Sequence, residues 1–174
     1  LKLMQRAGCI RLRYGVESGD ENILNLMKKD ISIPQAEKVF KLTKKTGMET
    51  FAYFIVGYAG ETSQTIKKTI SLAKKLKPDW VMFTLAMPYP GTALYELAKE
   101  EQLFDGDYWA DFTLRKRDDA IPYFVEDAEQ WIKKAYREFY FRPSFIIKKF
   151  AELRSLDMLK KYVKGLKGLV RFKV

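Results

Sequence analysis

Three apolar segments that alternate with helical patterns constrain the fold of this chain more than any other feature. The segments span 10–16, 51–56 and 80–86, and each is followed by a glycine-containing loop. Strand-like segments that alternate with helices form parallel sheets through right-handed crossovers, and three strands are too few to close a barrel. The sequence therefore predicts an α/β fold, namely a partial (β/α) TIM-like barrel arc with parallel strands, followed by C-terminal helices.

Capping patterns mark where the first helices begin. Ser18 with Glu21, and Ser32 with Gln35, have the spacing of capping boxes, and Pro34 suits the first turn of the second helix. The helical patterns that follow predict further helices at 62–77, 92–101, 126–141 and 144–163.

The positive charge of the chain is concentrated at its C-terminal end. The net charge is +10, and residues 133–174 carry 13 Lys and Arg against 3 Asp and Glu, which accounts for the whole excess. Aromatic residues lie among these basic ones, a combination that suits packing on the core, a membrane surface or RNA, and the three interpretations stay open. We divide the chain into the second half of a β/α core, an irregular connection and a basic helical extension, at 1–104, 105–125 and 126–174.

Cysteine and histidine usage excludes several classes of site. Cys9 is the single cysteine and histidine is absent, so neither an internal disulfide nor a zinc or copper site within this chain is expected. No run approaches the roughly 20 apolar residues of a membrane span, which favours a cytoplasmic protein, with a position peripheral to the membrane as the alternative. The chain opens at Leu1 in a segment like the last turns of a helix, so we expect it to be part of a longer protein.

Three motifs together resemble one enzyme superfamily. They are AGCIRLRYGVESGD at 7–20, FIVGYAGET at 54–62 and PDWVMFTLAMPYPGTALY at 78–95. In this order they resemble the fourth, fifth and sixth strands of radical S-adenosylmethionine enzymes. The closest resemblance is to the cobalamin-binding branch, which includes oxidative cyclase-like and methyltransferase-like iron–sulfur proteins. The segments 140–150 and 162–172 resemble the C-terminal extension of the same branch.

The resemblance implies the cofactors of that branch, which are S-adenosylmethionine, a [4Fe–4S] cluster and cobalamin. The CxxxCxxC motif that holds the cluster is absent, and Cys9 is not a plausible substitute, so the cluster ligands and the cobalamin domain are expected outside this chain. We assign no catalytic or metal-ligating residue here, because the cofactors carry the difficult chemistry, and we expect the chain alone to be inactive. The alternatives are a tRNA-modifying radical enzyme and a non-catalytic β/α module that binds an acidic partner or a membrane surface.

The resemblance also implies which residues contact S-adenosylmethionine after the first strand. Glu17 would bond the ribose hydroxyls or the amino group, with Ser18 beside it, and Lys29 would pair with the methionine carboxylate. Each residue also has a structural alternative. Glu17 and Ser18 suit the beginning of a helix, whereas Lys29 and its neighbour Lys28 suit the end of one.

At the other two strand ends the resemblance implies contacts with adenine. A glycine there would let the ring approach closely, although apolar residues of a buried parallel strand are also needed for packing.

The substrate is expected to be a small or lipid-like molecule. The missing N-terminal half of the protein is an expected partner, and the exposed sheet edge is expected to be covered by an oligomer or by the tail. The candidate residues for the contacts with adenine are Tyr53, Ile55, Gly57, Ala86, Met87 and Pro88.

Overall fold

A computed structural model describes residues 1–119, 121–153, 160, 162–165 and 168 of the chain. The predicted alternation of strands and helices is confirmed, and each strand lies within about two residues of its predicted bounds. In chain order the elements are α1 (Lys2–Arg6), β1 (Arg11–Glu17), α2 (Glu21–Leu26), α3 (Ile33–Lys44), β2 (Glu49–Val56), α4 (Ser63–Leu76), β3 (Trp80–Leu85), α5 (Ala93–Glu100), α6 (Tyr108–Thr113), α7 (Ala128–Tyr140) and α8 (Pro143–Ala151).

The three strands form one parallel sheet in the order β1-β2-β3. Arg11 pairs with Glu49 near the start of the first two strands, and Phe51 of β2 pairs with Trp80 of β3. Because the strands are parallel, their carboxyl ends lie together at one end of the sheet. The predicted α/β class is therefore confirmed as a three-stranded parallel arc followed by helices.

The two faces of the sheet have different environments. Alternate residues of β2 are buried, and these pack with residues of α3, α4 and α7 into the main core, which includes Phe54, Ile66 and Ile132. The other face, which we call the open face, consists of partly or fully exposed residues. Its residues are Arg13, Gly15, Phe51, Tyr53, Met82 and Thr84.

The first helix of the basic extension shares the core of the sheet. Phe139 and Tyr140 of α7 and Phe145 of α8 are buried in the main core, and Trp131 and Tyr136 pack against it. Packing therefore accounts for these five aromatic residues. Contact of the basic extension with a membrane or with RNA stays a prediction.

Two tyrosines of α7 bond the free lateral edge of β3. The Tyr140 hydroxyl accepts a hydrogen bond from the Val81 N–H at 3.1 Å and donates one to the Val81 carbonyl at 2.8 Å. The Tyr136 hydroxyl does the same with Phe83, at 3.1 Å in both directions. Because an unpaired strand edge is a template for further pairing, these bonds close this side of the sheet.

One predicted helix cap is wrong and another is confirmed. The capping box of Ser18 and Glu21 does not form, because Asp20 is the N-cap of α2 and accepts from the N–H groups of Asn22 and Ile23. The box of Ser32 and Gln35 forms as predicted. Since both Asp and Ser are favourable N-caps, the residue nearer the first helical turn takes the position.

The C-terminal part differs from the prediction in two places. The connection at 105–125 is not wholly irregular, because it contains α6, whose N-cap Asp107 accepts from the Ala110 N–H. The helix predicted at 144–163 runs from Pro143 to Ala151, and much of the rest of that prediction lies outside the described residues. Among the residues that the structure describes, no helix combines the length and apolar character needed to cross a membrane.

Candidate functional site

Glu17 ends β1 in an unusual backbone conformation. Its φ is 64°, in the left-handed region, and the pairing of β1 with β2 is irregular between Gly15 and Glu17. The side chain folds back along the strand over Gly15, where a Cβ on Gly15 would overlap its Oε1. Bulges are frequent next to active sites because they change the direction of a side chain, and here the carboxylate is turned onto the open face.

Lys29 reaches the same place from the end of α2. Lys28 adopts the left-handed conformation after the helix, and the Lys29 N–H bonds the Leu24 carbonyl, as in a Schellman motif. The Lys29 Nζ lies 3.1 Å from Oε1 of Glu17, and the two side chains are 35% and 17% exposed. Lys28 is exposed, so the structure distinguishes these neighbouring lysines.

Tyr53 lies beside this ion pair on the open face. In the sheet register it is directly opposite Gly15, over which the Glu17 carboxylate lies. Its ring stacks on Phe51 with centroids 4.8 Å apart, and its hydroxyl accepts a hydrogen bond from Arg13 at 3.3 Å. The structure thus pairs the two charged candidates and places the aromatic candidate opposite Gly15 on the neighbouring strand.

Ser18 faces away from this group. Its side chain is fully buried, and its Oγ lies 3.2 Å from Oγ1 of Thr69 in α4 and accepts from the Asp20 N–H. These bonds attach the loop after β1 to α4. In this structure Ser18 therefore stabilises the loop from the side of α4. Its contact with a cofactor stays a prediction.

The carboxylate of Glu61 holds the loop after β2. Oε2 of Glu61 accepts hydrogen bonds from the N–H groups of Gly57 at 2.6 Å and Tyr58 at 3.1 Å. Burial raises the pKa of Glu61 to about 7, against the lowering effect of those two bonds. Its Oε1 is buried without a partner among the described residues. The signal that could have found it is an acidic residue four positions after a strand-ending glycine.

Gly57 itself has two local reasons to be glycine. Its φ is 83°, which side chains rarely tolerate, and a Cβ would lie 3.3 Å from Cβ of Ala128 in α7. The space on that side is thus taken by a helix of the chain. Contact between Gly57 and adenine stays a prediction.

The remaining candidates lie at the ends of β2 and β3. Ile55 packs against the buried Ala86 in a small cluster at this end of the sheet. The Met87 carbonyl accepts from the Tyr89 N–H at 2.9 Å, and the Pro88 carbonyl accepts from the Trp109 indole at 2.8 Å. Each of these two carbonyls already accepts one internal hydrogen bond, and contact of this segment with adenine stays a prediction.

Comparison with known proteins decides the superfamily. Residues 1–73 match the family model described as the radical SAM superfamily. The chain belongs to the radical SAM superfamily.

The relatives of the chain are named as enzymes of different kinds. The chain is 34% identical over 166 residues to an uncharacterized methyltransferase of Pyrococcus horikoshii, covering 95% of this chain and 36% of the relative. It is 28% identical over 147 residues to an anaerobic magnesium-protoporphyrin IX monomethyl ester cyclase of Rubrivivax gelatinosus, covering 84% and 26%. It is 30% identical over 119 residues to a tRNA-2-methylthio-N(6)-dimethylallyladenosine synthase of Acinetobacter baylyi, covering 63% and 25%. The chain thus spans about a third or less of the length of these relatives.

The residues present do not fit the iron–sulfur cluster of a radical SAM enzyme. Cys9 is the single cysteine of the sequence, and it precedes β1, at the opposite end of the strand from Glu17. Within the described part of the chain, no group of three or more His, Cys, Asp or Glu side chains could hold a metal ion. The ion pair of Glu17 and Lys29, by contrast, offers both charges needed to bind the amino-acid end of S-adenosylmethionine.

Proposed function

We propose that this chain forms the S-adenosylmethionine-binding part of a radical SAM enzyme whose cluster ligands lie outside it. The observation that carries the proposal is the ion pair of Glu17 and Lys29 on the open face, at the carboxyl end of β1. In β/α folds, ligands bind at this end of the strands. The whole enzyme would cleave S-adenosylmethionine reductively, and the chain alone would bind it without cleaving it.

The charges of this pair complement the ligand. S-adenosylmethionine carries an ammonium and a carboxylate on one carbon atom, so Lys29 can pair with the carboxylate and Glu17 with the ammonium or the ribose hydroxyls. Both side chains are more than half buried, which makes their interactions stronger than those of fully solvated charges. No residue here is proposed to move a proton; the chain binds and orients the molecule.

The proposal predicts that Lys29 determines affinity for S-adenosylmethionine. We expect Lys29→Gln to weaken binding about 10-fold or more, because a charge-assisted hydrogen bond to the carboxylate is lost. Lys28→Gln is the matched control, since Lys28 is adjacent, has the same charge and is exposed. Isothermal titration calorimetry of the chain with S-adenosylmethionine measures both dissociation constants. Equal affinities in the two variants, or no binding by the unsubstituted chain, would contradict the proposal.

For the intact enzyme we propose methyl transfer with cobalamin, with oxidative cyclisation as the alternative reaction. The support is that the relative named as a methyltransferase aligns with 95% of this chain, whereas the cyclase aligns with 84%. The experiment is anaerobic purification of the intact protein, followed by measurement of iron, cobalt and 5′-deoxyadenosine after reduction. Cobalt-free protein that still cleaves S-adenosylmethionine would refute the role of cobalamin and leave the superfamily assignment intact.

A further inference from the structure

We propose that Gly15 is a positioning residue of the S-adenosylmethionine site. By having no side chain, it leaves the space on the open face in which the Glu17 carboxylate meets Lys29. The inference rests on the proposed function above and extends it, because Gly15 would act on the ligand only through Glu17.

The space over Gly15 is filled by the ion pair. A Cβ on Gly15 would overlap Oε1 of Glu17, and it would lie 3.3 Å from Cδ of Glu17 and 3.1 Å from Nζ of Lys29. All three atoms belong to the ends of long side chains. A methyl group at position 15 can therefore be accommodated by displacing the ion pair, without a shift of backbone.

The backbone of Gly15 does not itself require glycine. Gly57 and Gly60 have φ angles of 83° and 80°, where any side chain is strained, but Gly15 is not among the glycines with positive φ. Alanine also suits a strand position sterically. The need for glycine at 15 thus comes from the space that the Glu17 carboxylate occupies.

The conformation of Glu17 supports a functional reason for this arrangement. A non-glycine residue at a φ of 64° is strained, and such residues cluster where a site needs a side chain in a particular direction. The same residue lies beside the irregular pairing of β1 with β2. Strand geometry, left-handed backbone and the absent side chain at Gly15 therefore all direct one carboxylate to Lys29.

The experiment is a double-mutant cycle on S-adenosylmethionine binding, measured by calorimetry on the chain. We expect Gly15→Ala to weaken binding about 10-fold, because the carboxylate is displaced and a charge-assisted contact is lost. In a Glu17→Ala background, the same substitution should change affinity less than about 2-fold, since the carboxylate that the methyl group overlaps is absent and Nζ of Lys29, at 3.1 Å, needs only a small shift. Gly165→Ala is the control, because a Cβ there meets no atom within 4 Å.

The experiment distinguishes failure of the inference about Gly15 from failure of the proposed function. If the unsubstituted chain does not bind S-adenosylmethionine, the proposed function fails. If the chain binds and Gly15→Ala has no effect, or weakens binding equally in both backgrounds, the inference about Gly15 is overturned. If Gly15→Ala does not fold, the inference predicts that Gly15→Ala with Glu17→Ala folds again, and a double variant that stays unfolded overturns it.

Discussion

The buried carboxylate of Glu61 makes the loop after β2 sensitive to pH. Its side chain is 7% exposed, and burial raises its pKa from 4.5 to about 7 despite bonds from the N–H groups of Gly57 and Tyr58. A group that binds protons more tightly in the folded state stabilises that state at low pH. The free energy of unfolding should therefore fall as pH rises from about 4.5 to about 7, and Glu61 should add no further change above that.

We predict that Glu61→Gln removes this dependence. Glutamine does not titrate, and its carbonyl oxygen can still accept from Gly57, so the difference in unfolding free energy between variant and parent should change by roughly 3 kcal/mol between pH 4.5 and 7. Urea denaturation at a series of pH values measures it. Because the chain has no histidine, few other side chains titrate in this range.

The exposed Glu100 provides the control for that experiment. Glu100→Gln makes the same substitution at an exposed position, and its pH profile is the one with which that of Glu61→Gln is compared. Parallel profiles for the two variants would show that burial of Glu61 does not shift its titration.

Sequence reasoning could predict Glu17 and Lys29 individually but not their contact. Both lie at recognisable positions, after a strand and after a helix. Their meeting depends on the left-handed backbone of Lys28 and Glu17, and neither residue is a type that favours this conformation. The role of Glu61 was missed for a related reason, since its partners are backbone N–H groups that no side-chain pattern reveals.

At the level of elements, α7 shows what hydrophobic periodicity can and cannot predict. A helix at 126–141 was expected from its pattern, and the structure has one at Ala128–Tyr140. The pattern could not show that two of its tyrosines would bond the edge of β3, because aromatic residues on one helix face suit any apolar partner. The tyrosine hydroxyls make the packing of α7 on β3 specific, since they form hydrogen bonds with the backbone of Val81 and Phe83.

We predict that Tyr140→Phe destabilises the fold by about 2 kcal/mol. The ring would still fill its place in the core, but the N–H and carbonyl of Val81 would lose their partner in a buried position. Tyr89→Phe is the matched control, because Tyr89 is 53% exposed. Urea unfolding of both variants gives the comparison, and equal stabilities would mean that water replaces the Tyr140 hydroxyl without cost.

At the level of the whole molecule, the open face and the free side of β1 remain available for association. Met82 on this face is 41% exposed, and the same face carries charged and aromatic side chains. Since exposed apolar faces and unpaired strand edges promote pairing between molecules, we expect self-association of the chain.

Sedimentation velocity over a concentration series tests this expectation. Met82→Lys should shift the chain towards monomer, because it places a charge on the open face. Leu114→Lys is the control, because this residue is 62% exposed and follows α6, outside the three strands. A parent chain that is monomeric at every concentration, or an equal response to both substitutions, would count against association through this face.

The hydrogen bonds of the two tyrosines to β3 also determine at which edge of the sheet a further strand can be added. With the free backbone groups of Val81 and Phe83 already bonded by α7, a fourth strand cannot pair beside β3 without displacing that helix. A further parallel strand can be added only beside β1. In a longer protein containing this chain, the sheet would therefore be extended from β1, because α7 occupies the place beside β3.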